Sequence, residues 1–293
     1  MSNWHAVIES TGAGESTTQE VKAYLEHYGY LAGNILAGSL SESQTVALFA
    51  QALSELQSAG GLPPTGFLDE PTRELIARKR CGCLDVVHCA PLNVLEAKWR
   101  KNKLTYAVQG YVSGLPQSEQ DDIIEFAWQQ WENVANFTIE RIAAGTPDII
   151  ISVGRGRAQG FDGPSGTLAW AYLPTGSDSQ LLMRFDLDET WVKTGSGIRL
   201  LNVATHEFGH LLGLDHSRVN SALMAPFYNE MVSAPQQADD IPRIQSLYGA
   251  AGAQPPPVPP TAPPPPSGRK VIMFEIDGKI TKIMADGFNC IPK

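Results

Sequence analysis

The sequence predicts an α+β protein in which a mixed, twisted sheet with helices follows a small three-helix bundle. Three observations lead there. The first 80 residues hold three amphipathic stretches with apolar positions at helical spacing. From residue 104 onward strand-like and helix-like stretches alternate, as in a mixed sheet backed by helices. Beyond residue 249 the composition collapses to proline and alanine, which ends the folded part.

The elements follow in order. Residues 1–15, rich in Ser, Thr, Gly and Glu, read as a flexible lead-in. Val21, Tyr24, Leu25 and Tyr28 recur at helical spacing, and a second helix starts at the Ser41 cap signal. Leu62-Pro63-Pro64-Thr65-Gly66 reads as a tight turn before a third helix capped by Asp69. Leu104 to Tyr111 alternates like a strand, Glu119 to Val134 is a long helix, and strands are expected at 137–142 and 148–153. A helix opening on Asp239 and Asp240 closes the folded part at Gly249. Nine of the 21 prolines lie between Pro255 and Pro266, the mark of an extended spacer. Two strands joined by Asp277-Gly278 form a hairpin in the tail. The expected domains are thus a bundle over 16–80, a connecting segment over 81–90, a sheet domain over 91–249, a linker over 250–269 and a hairpin over 270–293.

Composition excludes some functions. The net charge of −9, without a basic stretch, argues against nucleic acid as a partner. No run of 18 apolar residues offers a membrane span. Residues 1–10 contain neither a basic leader nor the apolar core of a secretory signal, so export is unexplained as written. Cysteines at 81, 83, 89 and 290 leave the redox compartment open, and a Cys83–Cys89 bridge with Cys290 unpaired is one of several pairings.

The chemistry concentrates at residues 206–216, which spell H-E-x-x-H-x-x-G-x-x-H. On a helix His206 and His210 point from one face, one turn apart, so that two imidazoles reach one ion. Gly213 can take the positive φ that reverses the chain and brings His216 back as a third ligand. Three histidines with an open fourth position describe a catalytic zinc site, and Glu207 is the residue expected to activate a zinc-bound water for peptide hydrolysis. Composition alone yields five such residues at this spacing with odds on the order of 10⁻⁵, which argues against ordinary core histidines. Eight residues after His216, Met224 is placed to form an apolar floor under the ligands. Hard oxygen donors in the stretches 160–168 and 185–189 suit calcium.

With the motif and Met224 together, the chain resembles the metzincins and, more closely, the matrixins, the matrix metalloproteinase family, over about residues 18–249. The Thr65-Gly66-x-Leu68-Asp69-x-x-Thr72 run is similar to peptidoglycan-binding-like domains, which matrixins carry in their propeptide. Lys79-Arg80-Cys81-Gly82-Cys83-Leu84-Asp85 resembles the matrixin cysteine switch, although Lys79 and Leu84 replace prolines and Cys83 is an additional thiol. The resemblance implies a metzincin-like catalytic domain and Cys81 as the inhibitory zinc ligand of a latent zymogen; activation cleavage is expected between Leu84 and Lys98, where the chain changes from bundle to strand. It implies calcium held by Asp162, Gly163, Ser165, Thr167, Asp186 and Glu189, and a substrate pocket lined by Pro226 and Tyr228. Asp239 or Asp240 would receive the new amino terminus, simple capping being the other reading. Trp170 and Arg184 stand where the family's structural zinc has histidines, so that second zinc is expected to be absent; Leu182 likewise weakens a second calcium site. The implied function is a monomeric, extracellular zinc-dependent endopeptidase acting on protein or peptide substrates. The rival is a glycan or cell-wall binding protein on an inactive protease scaffold, which predicts loss of a ligand or of Glu207.

Overall fold

The computed structural model describes residues 15–31, 41–86 and 98–252, with the backbone of two further strands at 271–276 and 279–284. The expected lead-in, Cys89, Cys290, nearly all of the linker and the Asp277-Gly278 turn lie outside the described residues.

The N-terminal bundle consists of α1 (Glu15–His27), α2 (Glu42–Ala59) and α3 (Glu70–Ile76). Both cap signals operate. Ser41 and Gln44 close a reciprocal capping box on α2, and Asp69 accepts from the Thr72 N–H at 3.1 Å at the start of α3. Leu25, Phe49, Leu53, Leu56 and Leu75 form the core between the helices. Gln57 is buried at its centre, its amide nitrogen 2.7–2.9 Å from Thr65 Oγ1, Phe67 O and Thr72 Oγ1, while its oxygen accepts from the Gly66 N–H at 2.9 Å. Gly66 makes this turn at φ +72°, a conformation costly to any residue with a Cβ. The bundle does not complete its core alone. Phe227, which belongs to a loop far along the chain, is only 5% exposed among these side chains.

The sheet is mixed, as the alternation predicts. Its strands are β1 (Arg80–Cys81), β2 (Lys103–Val108), β3 (Thr138–Arg141), β4 (Ile149–Gly154), β5 (Thr167–Ala171) and β6 (Leu181–Asp186), in the order β1-β5-β6-β4-β2-β3. Only the β5–β6 pairing is antiparallel. A parallel ladder joins β7 (Trp191–Val192) to β8 (Ile198–Arg199), which runs directly into α5 (Leu200–Leu211). The long helix α4 (Gln117–Glu132) packs on α5, with Trp128 stacked on Phe208 at 3.8 Å between ring centroids. Helix α6 (Asp240–Tyr248) closes the region. Without β1, the edge of the sheet would be β5, and a bare edge is a template for an added strand.

The last 40 residues form a unit of their own, in which β9 (Val271–Ile276) pairs antiparallel with β10 (Lys279–Met284), as the hairpin pattern predicts. No helix among the described residues is long and apolar enough to cross a membrane.

Candidate metal centre

Helix α5 is buried along nearly its whole length, and three tryptophans outside it fix its position. Trp99 Nε1 donates to Leu211 O and Trp131 Nε1 to Thr205 O, both at 2.8 Å, while Trp128 covers Phe208. Gly209 is required within the helix because Met224 packs straight onto it: a Cβ there would sit 2.3 Å from Met224 Sδ and 2.9 Å from the Trp131 ring. The helix stops at Leu212, and Gly213 turns the chain at φ +105° toward His216. Asp240 holds the loop under the site, its carboxylate accepting from the N–H groups of Leu223, Met224 and Gln236 at 2.7–3.1 Å. Asp239, the residue before α6, makes no side-chain cap and instead pairs with Arg243 at 3.1 Å.

These supports bring His206, His210, His216 and Cys81 together, with one donor atom from each within 4.8 Å of the others. His206 Nδ1 pairs with Leu223 O and His210 Nδ1 with Leu214 O, each at 2.7 Å. A carbonyl can only accept, so both Nδ1 atoms carry a proton and both Nε2 atoms face the cluster. The third ring differs. The nearest group to His216 Nδ1 is the Asp85 carboxylate at 2.7 Å, supplied by the segment that leaves the bundle. Burial and the neighbouring rings hold His206 far below the ordinary imidazole pKa, and burial also lowers His216 despite Asp85, so these two rings are neutral, as metal ligation requires.

The donor set fits zinc. In a tetrahedral site, Zn–N near 2.05 Å and Zn–S near 2.3 Å give edges of ~3.3 Å between nitrogens and ~3.6 Å between nitrogen and sulfur. His206 Nε2 and His210 Nε2 are 3.2 Å apart, and Cys81 Sγ is 3.4 Å from His210 Nε2. His216 Nε2 is buried with no hydrogen-bond partner, as are both carboxylate oxygens of Glu207. Such orphaned groups are costly without a ligand. Burial pushes the Glu207 carboxyl up to about 8.

The segment carrying Cys81 lies in the groove beside α5 like an added strand. Arg80 and Gly82 donate to Gly166 O and Ala169 O, both at 2.8 Å, on the β5 side. On the other side Cys81 donates to Pro226 O at 3.0 Å and Tyr228 donates to Lys79 O at 2.9 Å. Behind the segment Arg80 is 1% exposed, 2.5 Å from Asp85 and caged by the rings of Tyr28 at 3.5 Å, Phe227 at 4.8 Å and Tyr24 at 5.6 Å. Burial alone would raise the Asp85 carboxyl, but Arg80 and His216 outweigh it and hold the group well below the usual carboxylate range. A cavity of about 30 Å³ opens beside His206 and Glu207, lined by Leu168, Val203, Leu223, Pro226 and Tyr228.

The expected calcium residues form a neighbouring loop. Asp162 accepts from Thr167 N–H at 2.9 Å and Glu189 from Ser165 N–H at 2.5 Å, while one oxygen of buried Asp186 has no partner. Positive φ at Gly163, Ser165 and Gly166 winds the loop tightly. Among the described residues, the groupings of three or more side-chain donors within 4.8 Å are those at the histidine centre. The set expected for calcium joins three carboxylates to the backbone carbonyls of Gly163, Ser165 and Thr167. Where the family's second zinc would lie, Trp170 Nε1 donates to Gln159 O at 2.8 Å and the Arg184 guanidinium stands 5.6 Å over the Trp170 ring.

Sequence reasoning missed four contributions: the tryptophan clamps on α5, the Asp240 clamp on the loop, Asp85 against His216, and Phe227 in the bundle core. Asp85 carried a signal as part of the switch run, and the acids of residues 239–240 did too, but theirs pointed to receipt of a new amino terminus or to capping rather than to a clamp on the loop.

Comparison with known proteins agrees with this geometry. Residues 98–249 match the Matrixin family, and residues 15–76 match a putative peptidoglycan binding domain. The chain is 38% identical over 251 residues to the hatching enzyme of Paracentrotus lividus, covering 83% of the chain and 41% of that protein. It is 38% identical over 241 residues to stromelysin-1 of Mus musculus, covering 80% of the chain and 50% of that protein. Against interstitial collagenase of Bos taurus it is 37% identical over 259 residues, covering 84% and 53% respectively. The chain therefore spans about half the length of the curated relatives it matches. Because the first match runs through more than half of the sequence and includes all five motif residues, the chain belongs to the matrixin family.

Proposed function

We propose that this protein is a zinc-dependent endopeptidase made as a latent zymogen. One observation carries the reading: three imidazoles and the Cys81 thiol converge at tetrahedral spacing beside a buried, unpaired Glu207. His206, His210 and His216 would hold the metal, with Cys81 as fourth ligand in the latent form. Zinc bound there supplies a Lewis acid for the scissile carbonyl and lowers the pKa of a coordinated water towards roughly 7. Glu207 takes the proton of the attacking water on one carboxylate oxygen and delivers it to the departing amine. Met224, packed on Gly209, keeps the floor dry. Pro226 and Tyr228 offer their backbone to an extended substrate strand opposite β5, and the adjoining cavity admits an apolar side chain, which favours cleavage before a hydrophobic residue.

In this reading residues 16–80 are the prodomain, 81–90 the switch and activation segment, and 91–249 the peptidase. Calcium held by Asp162, Gly163, Ser165, Thr167, Asp186 and Glu189 braces the loop before β5. The enzyme acts as a monomer on extracellular protein or peptide substrates. To test it, the full chain is treated with a thiol-modifying reagent. The expected result is casein cleavage and self-trimming near residues 85–98, both stopped by a zinc chelator and both absent in Glu207→Gln. Cleavage that persists in Glu207→Gln would refute the mechanism.

A further inference from the structure

We propose that Cys83 is a second sulfur donor to the metal centre, so that the segment in the groove presents two thiols to it rather than one. The inference rests on the zinc reading above, but the observations behind it concern a residue that reading does not use. Cys81 ends β1 and the next residue, Gly82, still donates to Ala169 O of β5, so the side chains of Cys81 and Cys83, two residues apart, fall on one face. Cys83 Sγ accordingly falls within 4.8 Å of Cys81 Sγ, His210 Nε2 and a Glu207 carboxylate oxygen. Both cysteines are buried, at 6% and 8% exposure, and neither is in a disulfide.

The intervening residue makes this close seat possible. A Cβ on Gly82 would lie 2.6 Å from Thr167 Cγ2, so only glycine lets the strand approach β5 this tightly. The second sulfur is also steadied from β5: Cys83 donates to Ala171 O at 3.2 Å and accepts from Ala171 N–H at 3.4 Å. Around a tetrahedral zinc, sulfur stands ~3.6 Å from nitrogen and ~3.8 Å from another sulfur. Cys83 Sγ already stands within 4.8 Å of one histidine ligand, His210, and of Cys81 Sγ, and a rotamer change moves it further toward the corner that Cys81 occupies. Cys81 fills the open corner of the histidine set while Cys83 stands against Glu207, and loss of the first sulfur brings the second into the corner.

Cobalt substitution of the full chain tests this, in a Glu207→Gln background that prevents self-cleavage. Cobalt reports the histidine site through its ligand-field bands and a bound thiolate through a sulfur-to-cobalt charge-transfer band. The charge-transfer band is expected in the parent, in Cys81→Ser and in Cys83→Ser, and is expected to vanish only in the double variant. Cys81→Ala, which keeps the buried position apolar, replaces the serine variant if that one fails to fold. Ligand-field bands without charge transfer in the Cys81 variant would overturn the proposal and leave the zinc reading intact. Absence of ligand-field bands from the parent itself would overturn both.

Discussion

Asp85→Asn keeps the shape of the side chain and removes its charge. In the native chain one Asp85 oxygen faces both Arg80 at 2.5 Å and His216 Nδ1 at 2.7 Å, and the other accepts from the Tyr30 hydroxyl. The ion-pair side chains are 0% and 4% exposed, so solvent does not screen the pair. A surface pair would be worth at most about 1 kcal/mol. Removing one partner of a buried pair strands the other charge and costs about 3–5 kcal/mol. Arg80 keeps its aromatic cage, which offsets up to about 2 kcal/mol. A net loss of about 3 kcal/mol falls on the seating of the segment in the groove and raises the open population roughly 100-fold. The assay is the alkylation rate of Cys81 in zinc-loaded Glu207→Gln full chain, since a buried thiol reacts through the open form. A roughly 100-fold acceleration is expected. Arg80→Met added to Asp85→Asn should recover much of the protection, because no uncompensated charge is left in the cage. Alkylation at the parent rate in Asp85→Asn would refute the argument.

Other outcomes follow from the same packing. Gly209→Ala drives a methyl group into Met224 and Trp131 and should cost about 1–3 kcal/mol, read as a lower Tm and a lower zinc content per chain. Gln57→Leu leaves the buried Gly66 N–H without its partner and strips one hydrogen bond each from Phe67 O and the two threonine hydroxyls, and should cost the bundle about 1–3 kcal/mol by urea unfolding. Calcium at 100 times its Kd should stabilise the fold by about 2.7 kcal/mol, lost on chelation. Burial raises the Asp186 and Glu189 carboxyls, so in calcium-free protein their ionisation opposes folding. That protein should therefore gain stability as pH falls through their raised pKa values, whereas calcium-loaded protein loses it as protons displace the ion.

What the sequence made legible was local. The motif fixes which residues of α5 meet, because helical periodicity and one glycine turn are properties of neighbours along the chain. Ser41 and Asp69 cap their helices for the same reason. The strand expected to run to Tyr111 ends at Val108, and α4 begins at Gln117 rather than Glu119, since side-chain alternation does not mark where ladder bonds stop. The partners of the site were not legible. Trp99 is 112 residues from Leu211 and Trp131 is 74 from Thr205, and nothing in either local pattern announces a hydrogen bond across that separation. Asp240 reads as a helix-opening acid until the loop bearing Leu223 and Met224 is folded over it. The set expected for calcium is half carbonyl, and carbonyls are common to all residues.

Phe227 gives the bundle a debt to the rest of the chain. Among Leu25, Leu53, Leu56 and their neighbours it serves as a wall that α1 to α3 do not supply themselves. A cut between residues 86 and 98 would part the helices from that wall, and the freed piece would face water with its interior open. Reseating would then require the fragment to refold around a ring it no longer carries, so scission acts as a ratchet: a single peptide bond broken turns a reversible opening into a departure.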